Sequence, residues 1–270
     1  MALKLSDLVI MSDVDGTLLH SGKPIHPRNV QALERFVSKG GRFAISTGRS
    51  REFTRPLVEQ LPVNFPCVIF NGGAIYDYST EEYLMEIRLP EQGSQYIREI
   101  MERFPQCGVL AVDSDVYYDI NGAVATLYRE VYRNDYAVKG TMSDLKGSLM
   151  KSLIFIRPEW KEEFTSFVEE QKFPGVRFVP TNPHLIEMLP EQSSKGNALK
   201  QLMEMKNIDR SCLVAIGDYY NDKEMIELAG IGVTMHTAPE DLKALAELLV
   251  CDCEEGSLGD LVEQLEARYQ

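Results

Sequence analysis

The chain of 270 residues is about 1.8 times a typical domain length, enough for one large α/β unit or for two domains. Its 44% apolar and 26% charged residues are the proportions of a folded globular protein and exclude a largely disordered, collagenous or coiled-coil chain. Acidic side chains number 41 against 28 basic ones, and the formal charge of −13 repels nucleic-acid backbones and anionic lipid, so neither is an expected partner.

The first apolar run, LVIMSD at 8–13, reads as a buried strand ending in polar residues. An amphipathic helix follows over 29–39, with Val30, Leu33, Phe36 and Val37 on one face and Gly40-Gly41 as its stop. FAISTG at 43–48 then completes a βαβ unit, and VIFNGG at 68–73 reads as a further buried strand of the same parallel set. Beyond it the rhythm changes. The pattern predicts a helix at 91–104, paired strands at 109–113 and 116–120, a helix at 122–134, a strand at 148–156, a helix at 158–171 and strands at 175–180 and 184–189. Such a hairpin-rich α+β run implies a largely antiparallel sheet. Leu89-Pro90 and Leu189-Pro190 bracket it, where proline interrupts continuing structure. The α/β rhythm then resumes with a helix at 195–206, the strand LVAIGD at 213–218, a helix at 221–229, a strand at 231–235 and a helix at 239–247. The expected fold class is therefore α/β. A Rossmann-like doubly wound parallel sheet is formed by 1–86 and 190–270, and 87–189 is inserted as an α+β domain.

The longest apolar run, Cys212 to Ile216, has five residues, whereas a membrane-spanning helix needs about twenty. Met1 to Asp7 shows no secretory signal, and the five cysteines (67, 107, 212, 251 and 253) are odd in number, with three in or beside apolar runs. A reducing cytoplasm is the expected setting. Cys251 and Cys253 form a lone C-x-C, and the four histidines lack zinc-ligand spacing.

In an open parallel sheet, ligands bind beyond the carboxyl ends of the strands. The residues there are Asp13-Val14-Asp15-Gly16-Thr17, Ser46-Thr47-Gly48-Arg49, Asn71-Gly72-Gly73, and Gly217-Asp218 with Asn221-Asp222. Carboxylates gathered at one edge repel each other unless a hard cation joins them, and oxygen ligands with water in the shell suit Mg²⁺. Each piece also has a plainer reading, since D-x-D-G caps turns and both Thr47-Gly48 and Asn71-Gly72-Gly73 are good turn sequences. A calcium EF-hand loop fits badly: Gly16 falls at the fourth position, and Pro24 stands where the bidentate glutamate belongs. Co-occurrence in one row favours a site. Lys195, after Ser193-Ser194, opens a helix where the dipole disfavours a cation, so either water hydrates it or an anion compensates it.

Asp13-Val14-Asp15-Gly16-Thr17, Thr47-Gly48-Arg49, Lys195-Gly196-Asn197-Ala198-Leu199 and Gly217-Asp218-Tyr219-Tyr220-Asn221-Asp222 resemble, in order, the four motifs of the haloacid dehalogenase superfamily. The resemblance spans nearly the whole chain. The insert that returns through Ile186-Glu187-Met188-Leu189-Pro190 is similar to the C2B cap of the Cof-type group. What the resemblance implies is a Mg²⁺-dependent phosphatase acting on a small-molecule phosphomonoester, with sugar phosphates foremost. Asp13 is then the nucleophile that becomes an aspartyl phosphate, and Asp15 the general acid and base, its pKa raised by neighbouring carboxylates. Thr47 and Lys195 would hold the phosphoryl group, with Gly16, Gly48 and Asn71 lining its place. The metal would take Asp13, the Asp15 carbonyl and Asp218, while Asn221 and Asp222 position its waters or Lys195. There are two departures from the family pattern. Tyr219 stands where glycine is usual, and Met235-His236-Thr237-Ala238 replaces a common Met-Gly-Asn-Ala run. A phosphomutase of the same superfamily and a non-catalytic phosphate-responsive regulator are the alternatives. In the cap, Tyr117-Tyr118 and the 122–134 helix with Tyr128, Arg129, Tyr132 and Arg133 offer stacking and hydrogen-bond donors, or else simple packing.

Overall fold

Val9–Ser12 forms β1, buried along its whole length in the computed structural model, which describes residues 3–20, 22–121, 137–145 and 148–269. The helix Pro27–Ser38 that follows begins with proline at its first position and with His26 as its cap, Nδ1 accepting from the Arg28 N–H. Its buried stripe is Asn29, Ala32, Leu33 and Phe36, so Val30 and Val37 lie at the margin of the face and not at its centre. Asn29 is buried at no loss because its amide donates to the Leu18 carbonyl and accepts from the Gly259 N–H. β2 (Arg42–Ile45) pairs parallel with β1. A helix over Arg51–Val58 comes next, despite Pro56 inside it.

The VIFNGG run departs from expectation. Its strand, β3 (Cys67–Ile69), pairs antiparallel with β4 (Ala74–Asp77), which pairs antiparallel with β5 (Glu82–Glu86). The reason is the turn: Phe70 (φ 55°), Asn71 (φ 53°) and Gly72 (φ 88°) are all left-handed and send the chain straight back. A parallel link to β2 survives at its end, where Val68 bridges Ser46 and its carbonyl accepts from the Thr47 N–H.

Ile87–Ser193 forms a compact unit of its own, the other being Met1–Glu86 with Ser194–Gln270. The inserted unit contains β6 (Gly108–Asp113), β7 (Val116–Asp119), β8 (Ala137–Lys139), β9 (Lys151–Phe155), β10 (Val176–Asn182) and β11 (Leu185–Pro190). They lie in the order β10-β11-β9-β6-β7-β8, antiparallel at each step except the parallel pair β7 and β8. The helices Gly93–Arg103 and Lys161–Gln171 cover one face, with Ile97, Ile100 and Phe164 packed on Val109, Ala111, Ile154 and Met188. Tyr118 packs against this core and Tyr117 is buried, as the packing reading of that pair requires. The helix expected over 122–134, with Tyr128, Arg129, Tyr132 and Arg133, falls outside the described residues.

After the helix Lys195–Lys206, β12 (Leu213–Ile216) returns beside β1, and the helix Lys223–Leu228 leads to β13 (Ile231–Met235). The helix expected over 239–247 covers only Glu240–Lys243, because by Glu247 the chain is already bonded to the Gly232 carbonyl and entering β14 (Leu248–Val250). The last helix is Ser257–Arg268. All neighbours in the sheet β14-β13-β12-β1-β2 are parallel. The chain winds outward in both directions from β1, so the carboxyl end of β1 is the topological switch point, where loops part and leave a crevice. Among the described residues, no helix is long and apolar enough to cross a membrane.

Candidate active site

Asp13 follows β1 directly, its N–H held by the Ile216 carbonyl of the neighbouring strand and its own carbonyl accepting from the Ser12 hydroxyl. The loop after β12 brings two further carboxylates to it. Asp13, Asp218 and Asp222 each offer an oxygen within 4.8 Å of the others. Lys195, only 1% exposed, lies among them: Nζ donates to Asp13 Oδ1 at 2.5 Å and to Asp222 Oδ1 at 2.6 Å. Water is therefore not what compensates this first-turn lysine. Ser194 caps the helix by accepting from the Asn197 N–H, and its hydroxyl donates to Glu224, which fixes the start of the helix that carries Lys195.

The electrostatics follow from burial. Desolvation pushes the Asp13 carboxyl well above the usual range, and the charges of Asp222 and Asp218 add to this while Lys195 opposes it. Asp218 is pushed up to about 6, first by burial and then by Asp222, against a 3.0 Å hydrogen bond from the Thr17 hydroxyl. For Lys195 burial works against the ammonium, but Asp13 and Asp222 outweigh it and its pKa is raised. Asp222 is fully engaged. While Oδ1 accepts from Lys195, Oδ2 accepts from the backbone N–H groups of Asp218 (3.1 Å) and Tyr219 (3.3 Å).

Two glycines are required by close approach. Gly16 has φ 95°, and a Cβ there would lie 2.3 Å from Asp218 Oδ2. At Gly72, φ 88°, a Cβ would lie 2.0 Å from the Ser194 carbonyl oxygen, so only glycine lets the Asn71 turn sit against the Lys195 helix. Thr47 is buried next to Asp13's strand end, its carbonyl accepting from the Asn71 N–H and its hydroxyl from the Arg49 N–H. Gly48 packs on the Asn71 side chain, where a Cβ would meet Nδ2 at 2.8 Å. The Gly16 N–H is taken by the Leu19 carbonyl, so this residue provides space beside Asp218.

Two of the sequence-derived residues stand apart. Asn221 is exposed. The Asp15 side chain is 48% exposed and faces Arg49, which donates through Nε at 2.9 Å and Nη2 at 2.5 Å to its two oxygens. The expectation that carboxylates crowd Asp15 is thus corrected: its neighbour is a guanidinium. Sequence reasoning left Arg49, Thr17 and Glu224 without roles. For Arg49 the motif contained a signal, an arginine two residues past Thr47, but nothing in spacing pairs it with Asp15.

The family profile of haloacid dehalogenase-like hydrolases matches residues 10–260. The chain belongs to this family. Among its relatives, the haloacid dehalogenase-like hydrolase is similar to the pyridoxal phosphate phosphatase YbhA of Escherichia coli K12, 26% identical over 266 residues that cover 94% of this chain and 97% of that one. It is likewise similar to the 5-amino-6-(5-phospho-D-ribitylamino)uracil phosphatase YitU of Bacillus subtilis, 25% identical with 95% and 96% covered. A haloacid dehalogenase-like hydrolase from Bacteroides thetaiotaomicron has the same fold, with a TM-score of 0.87, 26% identity, and 96% of this chain and 99% of that chain covered. The hydrolase thus shares its α/β core and its antiparallel inserted sheet with solved members of the family.

Proposed function

We propose that this hydrolase is a Mg²⁺-dependent phosphatase that cleaves small phosphomonoesters through an aspartyl phosphate on Asp13, with sugar phosphates the first substrates to test. In this reading 1–86 and 190–270 form the catalytic core, and 87–189 is a cap that reads the leaving group. The setting in this reading is a reducing cytoplasm, as the odd number of cysteines suggests. The observation that carries the proposal is the buried Lys195 ammonium bound to both Asp13 and Asp222 at the sheet's switch point. The phosphatase names of its full-length relatives support it.

An Asp13 carboxylate oxygen attacks phosphorus and the ester P–O bond breaks. Asp15 gives its proton to the departing alkoxide, so the alcohol leaves neutral. The acyl phosphate is reactive enough for water to open it. Asp15 then takes a proton from that water as its oxygen attacks phosphorus, the bond to Asp13 breaks, and inorganic phosphate and the free Asp13 carboxylate are restored. Lys195 offsets phosphoryl charge throughout, while Thr47 and the turn through Gly48 and Asn71 orient the phosphoryl oxygens.

The donor set fits a hard divalent ion: three carboxylates within 4.8 Å, two of them held at raised pKa by burial and by the charge of Asp222. Asp13 and Asp218 would hold Mg²⁺, with the Asp15 carbonyl completing the protein's share. Asp222, with both oxygens engaged, orders the loop and Lys195; Asn221, from its exposed position, would reach only waters of the ion. When bound, the ion supplies positive charge that keeps Asp13 ionised and stabilises the phosphoryl transition state.

Phosphate release from a panel of phosphorylated sugars, nucleotides and vitamins, with Mg²⁺ and with EDTA, tests the proposal. Transfer to a second sugar hydroxyl without release would mean a phosphomutase, and no turnover of any compound would favour a regulator. A second expected result is thermal. In the metal-free protein Asp218 ionises only as pH rises through about 6, and because its folded pKa lies above the unfolded value, that ionisation destabilises the fold. Mg²⁺ should therefore raise the melting temperature at pH 7.5, and the rise should shrink as pH falls below 6 and protons compete for the carboxylates. An equal rise at pH 5 and pH 7.5 would exclude Asp218 from the metal site.

A further inference from the structure

Tyr219 and Tyr220 are the most exposed large side chains of apolar or aromatic character among the described residues, at 56% and 50%. Their rings meet edge to face, 4.9 Å between centroids at 62°. Neither is loose. Tyr219's N–H is bound to Asp222 Oδ2, the carboxylate whose other oxygen holds Lys195, and the Tyr220 hydroxyl donates to Asp241 Oδ1 at 3.3 Å. The backbone that carries the pair is thus tied to the carboxylate that holds Lys195, both rings are open to solvent, and the Tyr219 Cα is about 3.8 Å from that of Asp218.

The organic part of a phosphomonoester starts one bridging oxygen from phosphorus, so it emerges within a few ångströms of the site. Around it, the charged groups Asp13, Asp15, Arg49, Asp218 and Lys195 suit the phosphoryl group and the leaving oxygen but offer little to an uncharged ring. Exposed aromatic faces stack on flat rings, whether on the π-face of a heterocycle or on the C–H face of a pyranose. We propose that Tyr219, braced by Tyr220, is a specificity-determining platform that favours ring-bearing phosphomonoesters over acyclic ones. The inference rests on the phosphatase reading and deepens it.

The test compares kcat/KM for pyridoxal 5′-phosphate, glucose 6-phosphate and glycerol 3-phosphate in the wild type and in Tyr219→Ala, Tyr219→Phe and Tyr220→Ala. Tyr219→Ala should lower the ratio of ring-bearing to acyclic kcat/KM by about tenfold, the scale of one lost stacking contact, chiefly through KM. Tyr219→Phe should keep the ratio, since stacking uses the ring face and not the hydroxyl, and Tyr220→Ala should lower it less. A fall confined to pyridoxal 5′-phosphate assigns the platform to heterocycles, and one confined to glucose 6-phosphate assigns it to sugar faces. Wild-type protein supplies an independent reading: pyridoxine or glucose should inhibit glycerol 3-phosphate hydrolysis competitively where glycerol at the same concentration does not. An unmoved ratio in folded Tyr219→Ala, or an equal loss on all three esters, overturns the platform while leaving the phosphatase standing. Failure of the wild type to release phosphate from any of them removes both.

Discussion

Asp13→Asn is expected to lower turnover by more than about 10³-fold with the fold intact. A loss of that size is about 4 kcal/mol of barrier lowering. Two contributions vanish together, the attacking oxygen of the covalent step and a direct ligand of the metal. The fold should survive because burial already opposes the charge on Asp13, so a neutral amide of the same shape relieves desolvation. Lys195 keeps Asp222 at 2.6 Å as a partner and is not left as an unpaired buried cation. Initial rates on the best substrate of the panel, with mass spectrometry to exclude deamidation back to aspartate, provide the check. Near-normal turnover would falsify covalent catalysis at Asp13. Trapping of a phosphoryl group on another residue would relocate it.

Much of the carboxylate site was legible in the sequence because strand-ending residues in a parallel sheet must converge. Asp13, Asp218 and Asp222 stand at or after the ends of β1 and β12, whose parallel pairing brings these ends together. Lys195 was legible for an electrostatic reason, as a cation misplaced in a first turn. What remained hidden depends on side-chain direction. The exposure of Asp15 and its two-point contact with Arg49 are set by rotamers around a Gly16 turn, and residue spacing does not encode them. Spacing also does not report that both oxygens of Asp222 are committed within the site, one to a side chain and one to the loop's own backbone.

In the fold, a continuous apolar run identified β1, and sequence pattern identified the helices Pro27–Ser38 and Lys195–Lys206, where local pattern and tertiary packing agree. The failures occur where they disagree. The helix Arg51–Val58, which contains Pro56, was not among the expected elements, and three left-handed residues turned a run that looks parallel into an antiparallel β3. Residues 244–247 have helical propensity, yet the bond from Glu247 to the Gly232 carbonyl draws them toward the sheet.

Asp15→Asn is expected to slow hydrolysis of a sugar phosphate by about 10²- to 10⁴-fold, the usual range for loss of a general acid and base. The leaving group separates the two roles. Nitrophenolate departs without a proton, so nitrophenyl phosphate should still phosphorylate Asp13 at a substantial rate, while attack of water on the aspartyl phosphate lacks its base. The variant should therefore release a burst of nitrophenol, about one per active site, followed by a slow phase. Arg49 adds a second comparison, because its guanidinium grips both oxygens of Asp15. If Arg49 positions Asp15, Arg49→Ala should show the same preference for the aryl substrate at smaller amplitude, and Arg49→Lys, which lacks the planar fork, should restore it only in part. Equal slowing of sugar and aryl phosphates by Asp15→Asn, with no burst, would mean that Asp15 serves the fold or the phosphoryl group and not the leaving oxygen. In that case the proton donor would have to come from another element, and the exposed Asp15–Arg49 pair would be a surface ion pair of little consequence, as such pairs usually are.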